Sequence, residues 1–195
     1  MRILIGAVAL VALAGCLDQD KRPAGLVSAT EKAKGLSVAS NSPDAAVKSW
    51  WSVRDAAMDL DREICLEYQR MKSPITDKLK ALSTADLPAR EDCFLDQLNF
   101  DRKISKVEVE SDTRAVVGAV IKNITPPEPG AVLDARDRQL KEAGERYRYT
   151  LERKDASGEW KISRIENFPS YSSNWRDSYS KPEPSNNRYV YEGYQ

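Results

Sequence analysis

The sequence predicts an α+β protein in which N-terminal helices pack on one face of an antiparallel sheet. Three observations carry that expectation. Apolar residues recur at steps of three and four through residue 98. Beyond residue 103 the period drops to two, with turn sequences between the alternating runs. The helical pattern comes first and the strands follow as a meander, which is the order of a layered α+β domain.

The helical part opens at Ser42-Pro43-Asp44. A serine hydroxyl can accept from an orphan N–H, proline suits the first helical position, and a carboxylate complements the positive helix end. Val47, Trp50, Val53, Ala57, Leu60, Ile64, Tyr68 and Met71 then form one apolar line. Pro74 is expected to stop that helix, because it has no N–H for the preceding turn. Ile75, Leu79 and Leu82 suggest a short second helix, and Leu87, Phe94 and Leu98 a third, entered near Asp86 and Pro88.

Residues 103–110 place Val107 and Val109 on one strand face and Lys106, Glu108 and Glu110 on the other. Ser111-Asp112-Thr113 reads as a turn, and the β-branched run 114–124 as a strand buried on both faces. Prolines crowd 125–130, so that stretch is a loop, and the highly charged 132–144 suits a solvated helical excursion. Residues 146–154 alternate cleanly, with Tyr147, Tyr149 and Leu151 against Arg148, Thr150 and Glu152. Asp155-Ala156-Ser157-Gly158 turns the chain, and Trp160 and Ile162 open the return strand. Strict alternation would carry Arg164 and Glu166 inward; a bulge that brings Ile165 in instead leaves Arg164 in solvent. Tyr147, Tyr149, Trp160 and Arg164 are the candidate pocket-lining residues. The competing expectation is that the aromatic members of this set are core.

Composition excludes several functions. The chain has 195 residues, 30 Lys+Arg, 30 Asp+Glu and no histidine. Zero net charge without a basic block argues against a nucleic-acid partner. Without histidine there is no Ser-His or Cys-His nucleophile pair and no imidazole metal ligand. Gly-rich phosphate loops and Cys-x-x-Cys pairs are absent from the sequence, so no cofactor or metal is expected and no catalytic residue is assigned.

The two ends read differently from the middle. Arg2 precedes an uncharged run over 3–13, which is too short for the roughly 20 residues of a membrane-crossing helix. It ends in Leu13-Ala14-Gly15-Cys16, which resembles the lipobox of bacterial lipoproteins. The resemblance implies removal of a signal peptide over 1–15 and thioether lipid on Cys16. It also implies membrane attachment, with Leu17 after the cysteine pointing to the periplasmic side of the outer membrane. Residues 16–41 are expected as a lipidated, coil-like tether, 42–168 as the domain, and the Tyr-, Ser- and Pro-rich 169–195 as a largely disordered tail. Its aromatics could otherwise dock on the domain. Export places Cys65 and Cys93 in an oxidising compartment, where an even pair is expected as a disulfide.

Ser42-Pro43-Asp44-Ala45-Ala46-Val47-Lys48-Ser49-Trp50-Trp51 and the closing Gly158-Glu159-Trp160-Lys161-Ile162 resemble the nuclear-transport-factor-2-like, cystatin-like cone superfamily. The resemblance covers about 42–168 and implies a curved, cone-like sheet enclosing a pocket beneath the helices. The helical stretch 54–98 is longer than that superfamily's usual lid. Together these features give the expected function: a lipid-anchored envelope lipoprotein with a non-enzymatic binding or accessory module. Its partner would be an envelope protein, as for a secretion-machine accessory or an immunity protein, or a small apolar ligand. The alternative, implied by the same superfamily, is a small-molecule isomerase or dehydratase with an Asp or Glu base and a Tyr oxyanion donor.

Overall fold

The computed structural model describes residues 23–82, 98–128 and 130–179. It is an α+β fold: a five-stranded curved antiparallel sheet in the order β1-β2-β3-β4-β5, with helices packed on one face. The strands are β1 (Phe100–Ser111), β2 (Arg114–Asn123), β3 (Glu145–Glu152), β4 (Lys161–Phe168) and β5 (Arg176–Asp177). Helices α1 (Ala24–Lys34) and α2 (Pro43–Ala81) precede the sheet, and α3 (Ala135–Ala143) lies between β2 and β3.

The start of α2 follows from its sequence. Ser42 Oγ accepts from the Ala45 N–H at 3.3 Å, and Asp44 accepts from the Ser42 hydroxyl and from Lys48. Those two hydrogen bonds hold the Asp44 carboxyl below the usual aspartate range. The first third of α2 buries Ala46, Val47, Trp51 and Ala56. The buried line thus lies one step round from the expected one: Trp51 is inside, Trp50 packs at the core margin, and Val53 is exposed.

Pro74 does not end the helix, which runs on to Ala81 for 39 residues, about 58 Å. Proline obstructs the turn before it but is well suited to begin a turn. Ser73-Pro74-Ile75-Thr76-Asp77 behaves as a second start within the same axis, with the Ser73 hydroxyl 3.5 Å from Asp77 Oδ2. The short second helix expected over Ile75, Leu79 and Leu82 is therefore the continuation of the first. Leu87, Phe94 and Cys93 lie outside the described residues.

The segment expected as a coil tether carries α1 within it. Ala29 of α1 is buried, and Lys32 is ion-paired with Asp59 of α2. Residues 36–41 are docked as well: Ser49 Oγ bonds both the N–H and the carbonyl of Ala39, and Trp160 N–H donates to the Ser40 carbonyl at 2.9 Å. Short, small residues hide the periodicity of an 11-residue helix that buries only alanine.

The hairpins fall where the turn residues place them. Val109 pairs with Ala115, Val117 with Tyr149, and Tyr149 with Ile165, so these residues share the helix-covered face. The pairing of β3 with β4 shifts between Thr150 and Leu151, bulging β4 at Ser163. Ile165 turns inward and Arg164 outward. Strand β2 is buried on one face only, at Ala115, Val117 and Ala119; its other face is half-covered rather than sealed. Val107 and Val109 share the inner face but lie beyond the reach of α2 and are exposed.

The core joins Val47 and Trp51 of α2 to Ala115, Val117, Ala119, Tyr149, Leu151, Trp160 and Ile165. Trp51 Nε1–H donates to the Tyr149 hydroxyl at 2.8 Å inside it. The chain does not become a disordered tail at residue 169. Through residue 179 it folds back: β5 pairs with β4, Asp177 accepts from Arg164 at 2.6 Å, Trp175 meets Phe168 edge to face, and Tyr179 meets Trp50. Arg148 sits over the Trp175 ring and bonds Glu166, which is almost wholly buried. These aromatic and charged partners are far apart in sequence and leave no period to read.

Candidate functional site

Three chain segments meet at the end of the sheet where β2 and β4 finish and β3 begins. Gly144 makes the junction between α3 and β3 possible. Its φ is +73°, and a Cβ there would fall 2.8 Å from the Ile121 carbonyl oxygen. Only glycine fits both the conformation and the space. Asp134 caps α3 by accepting from the Asp137 N–H at 2.7 Å, and Lys141 reaches from its last turn to the Thr125 carbonyl. Thr125 is pinned in turn by Asn123 and Asn99.

The result is a cleft of about 480 Å³, in the lower half of the usual range for small-molecule sites. Phe100, Ile121, Leu140, Tyr147, Phe168 and Tyr171 supply apolar walls; Glu145, Lys141, Arg146 and Asn123 supply polar atoms. Glu145 Oε1 accepts from Asn167 Nδ2 at 2.8 Å, and Oε2 from the Tyr147 hydroxyl at 3.3 Å. Burial, reinforced by the Glu145 carboxylate, pushes the Tyr147 phenol up to about 12. Tyr147 is therefore a neutral donor at ordinary pH, with its proton directed at Glu145. Arg146 is engaged with the Phe168 wall, its guanidinium 4.2 Å from the centre of that ring.

The sequence-derived candidates separate. Tyr147 lines the cleft. Tyr149 and Trp160 do not: they are 2% and 4% exposed and belong to the core. Arg164 does not line it either. It lies on the solvent side of β4, ion-paired with Asp177 and Glu166. Cys65 is disulfide-bonded, while Cys93 and Cys16 lie outside the described residues. Among the described residues no cluster of acidic or thiol side chains could hold a metal ion, and no helix is long and apolar enough to cross a membrane.

Glu145 was missed by the sequence reading, although a signal existed. The alternation of β3 continues one step before Tyr147, so Glu145 occupies the same face, paired with Ile121. The contributions of Phe100, Leu140 and Tyr171 come from three other segments and have no local signature.

No protein family, no curated protein and no solved structure matches this chain. The functional reading therefore rests on the geometry above.

Proposed function

We propose that the chain is an envelope lipoprotein whose cone-type α+β domain binds a small, largely apolar ligand without transforming it. Lipid on Cys16 holds the domain at the periplasmic face of the outer membrane, where an envelope protein is its partner. One observation carries the binding role. The interior between α2 and the sheet is filled by Val47, Trp51, Tyr149, Leu151 and Trp160, whereas the cleft described above opens at the sheet end, around Phe100, Ile121, Leu140, Tyr147 and Phe168. Sites of this composition hold ligands through apolar contact, with a few polar atoms fixing orientation. Glu145 and Lys141 are those atoms here. The lipobox resemblance of 13–16 supports the anchor, and the disulfide at Cys65 supports an oxidising compartment.

N-phenyl-1-naphthylamine, a neutral apolar fluorophore, tests the binding reading. It should bind saturably at a single site, and Leu140→Trp, which fills the cleft from its half-exposed rim, should abolish the signal while leaving the melting temperature unchanged. Equal binding by that variant, or no saturable binding by the parent, refutes the reading.

The isomerase or dehydratase reading has its own observation, the Glu145 carboxylate facing the Tyr147 hydroxyl. The same geometry weighs against it. An oxyanion donor must direct its proton at substrate, whereas Tyr147 directs its proton at the would-be base. Enzymatic turnover lost in both Glu145→Gln and Tyr147→Phe would establish the enzyme instead.

A further inference from the structure

Strand β1 lies at the open edge of the sheet. It comes first in the order β1-β2-β3-β4-β5 and pairs with β2. Its 12 residues reach about 40 Å, about twice the usual length of a strand. Every residue from Ser105 to Ser111 is exposed, so this half of the edge lies in solvent. The N–H and carbonyl groups that point away from β2 are there a template for one more strand. On the face shared with the core, Val107 is 42% and Val109 61% exposed. A long edge with apolar side chains beside it is a pairing site unless its charges forbid pairing.

The charges on the other face name the strand that fits. Ser105 and Lys106 share one position opposite Gly118, where β1 bulges: a Cβ on Gly118 would meet both side chains. Counted with that shared position, the solvent face reads Lys103, Lys106, Glu108 and Glu110, cations first and anions after. A second β1 laid antiparallel, with Val107 on the two-fold axis, sets Lys106 against the partner's Glu108 and Lys103 against the partner's Glu110. Two-fold symmetry makes each of these pairs twice. On the core side Val107 meets the partner's Val107, and Val109 meets the partner's Ile104. Moving the axis by one residue sets Lys106 on the partner's Lys106, or Glu108 on the partner's Glu108. A parallel copy in register sets like on like throughout. Like charges directly opposite one another on adjacent strands repel. An edge guarded against pairing carries lysines along its length; this edge changes sign at its middle and so admits one register. Within the single chain Lys106 pairs with Glu108, and Glu110 with Arg114. Both are exposed pairs of small worth, free to turn towards a second copy.

We propose that two copies of this chain join through their β1 edges into one continuous antiparallel sheet. Ladder hydrogen bonds supply the attraction and the solvent-face charges fix the register. The valines that α2 does not reach gain apolar cross-strand neighbours, among them Ile104, which packs against the core. The helices of both copies stay on the same face of the joined sheet. Phe100 of the cleft wall begins β1, so the two clefts fall at opposite ends of the shared strand pair and stay open. The dimer depends on neither the ligand-binding nor the anchor reading.

Sedimentation equilibrium of residues 16–195 carrying Cys16→Ser tests the proposal without lipid and without a thiol at that position. The parent should pass reversibly from monomer to dimer with a dissociation constant on the order of micromolar, as befits a contact of one strand. Lys106→Glu and Glu108→Lys each turn two attractive pairs into two repulsive ones, and each should raise that constant about thirty-fold. Mixed together, the two variants should form a mixed dimer close to parental strength, because each carries the charges that the other opposes. The chain with both exchanges should dimerise as the parent does. Far-ultraviolet circular dichroism should be the same for all of them, since both side chains are exposed. A parent that stays monomeric up to about 1 mM overturns the inference. So does a dimer that the single exchanges leave intact, or one that mixing fails to restore, because either result places the contact elsewhere.

Discussion

Tyr149→Phe isolates the polar contact at the centre of the core. The Trp51 indole N–H donates to the Tyr149 hydroxyl at 2.8 Å, and both residues belong to the buried cluster. Removing the hydroxyl strands the indole N–H among apolar groups. A buried donor left without its partner costs about 1–3 kcal/mol, which corresponds to about 4–8 °C in Tm for a 2 kcal/mol loss in a domain of this size. Trp51→Phe should cost more, since it also shrinks a ring that packs between α2 and the sheet. The double variant strands nothing, so its loss should fall short of the sum by about 1 kcal/mol or more. Urea unfolding followed by far-ultraviolet circular dichroism measures all three, with an unchanged denaturant slope as the sign that the native state is intact. A Tyr149→Phe protein within about 0.5 kcal/mol of its parent, the range of an ordinary surface change, would refute the claim that this hydrogen bond is both formed and dry.

Truncation after Phe168 should lower the melting temperature clearly, because it removes Trp175 from Phe168 and Arg148, Asp177 from Arg164, and Tyr179 from Trp50; truncation after Tyr179 should not. Stability should fall as pH rises from about 10 towards 12, since a phenol whose folded pKa is raised to about 12 from 10.0 favours the native state below that window and loses the advantage as it ionises. Tyr147→Phe should shrink that alkaline loss, and pH-jump unfolding of the two proteins compares them. Peptide mass spectrometry without reduction should find Cys65 joined to Cys93, and alkylation of both thiols in the native, unreduced protein would refute the pairing.

What the sequence discloses about the site depends on how far each interaction reaches along the chain. Alternation is local, so β3 and β4 were legible, and so was the bulge at Ser163 that exchanges Arg164 for Ile165. Which of the inward aromatics would be sealed and which would line a cleft was not legible. Tyr147 and Tyr149 have the same chemistry and the same strand face; they differ because Trp51 covers one and the sheet ends beside the other. The ordered stretch 169–179 escaped for a related reason. Its fixed points are Arg146, Arg148, Arg164 and Trp50, all distant in sequence, and an aromatic residue between serines has no period until its partner is known.

Helix α2 shows the same limit on a larger scale and turns it into a tool. Its apolar line keeps one spacing from Val47 to Leu82, so a pattern analysis assigns one buried face throughout. In the structure the first third meets the sheet, while Ile64, Tyr68, Met71, Ile75, Leu79 and Leu82 remain in solvent. Periodicity reports that a face must be covered; it does not report by what. Around Val47 and Trp51 the neighbours are the alanines and serines that permit close helix–sheet approach. Around Met71 and Ile75 stand Lys72 and Lys78, whose charges a closed apolar interior would have to desolvate. The change in bordering residues along a single helix is the physical reason its two ends, with one spacing of apolar residues, do not share one environment.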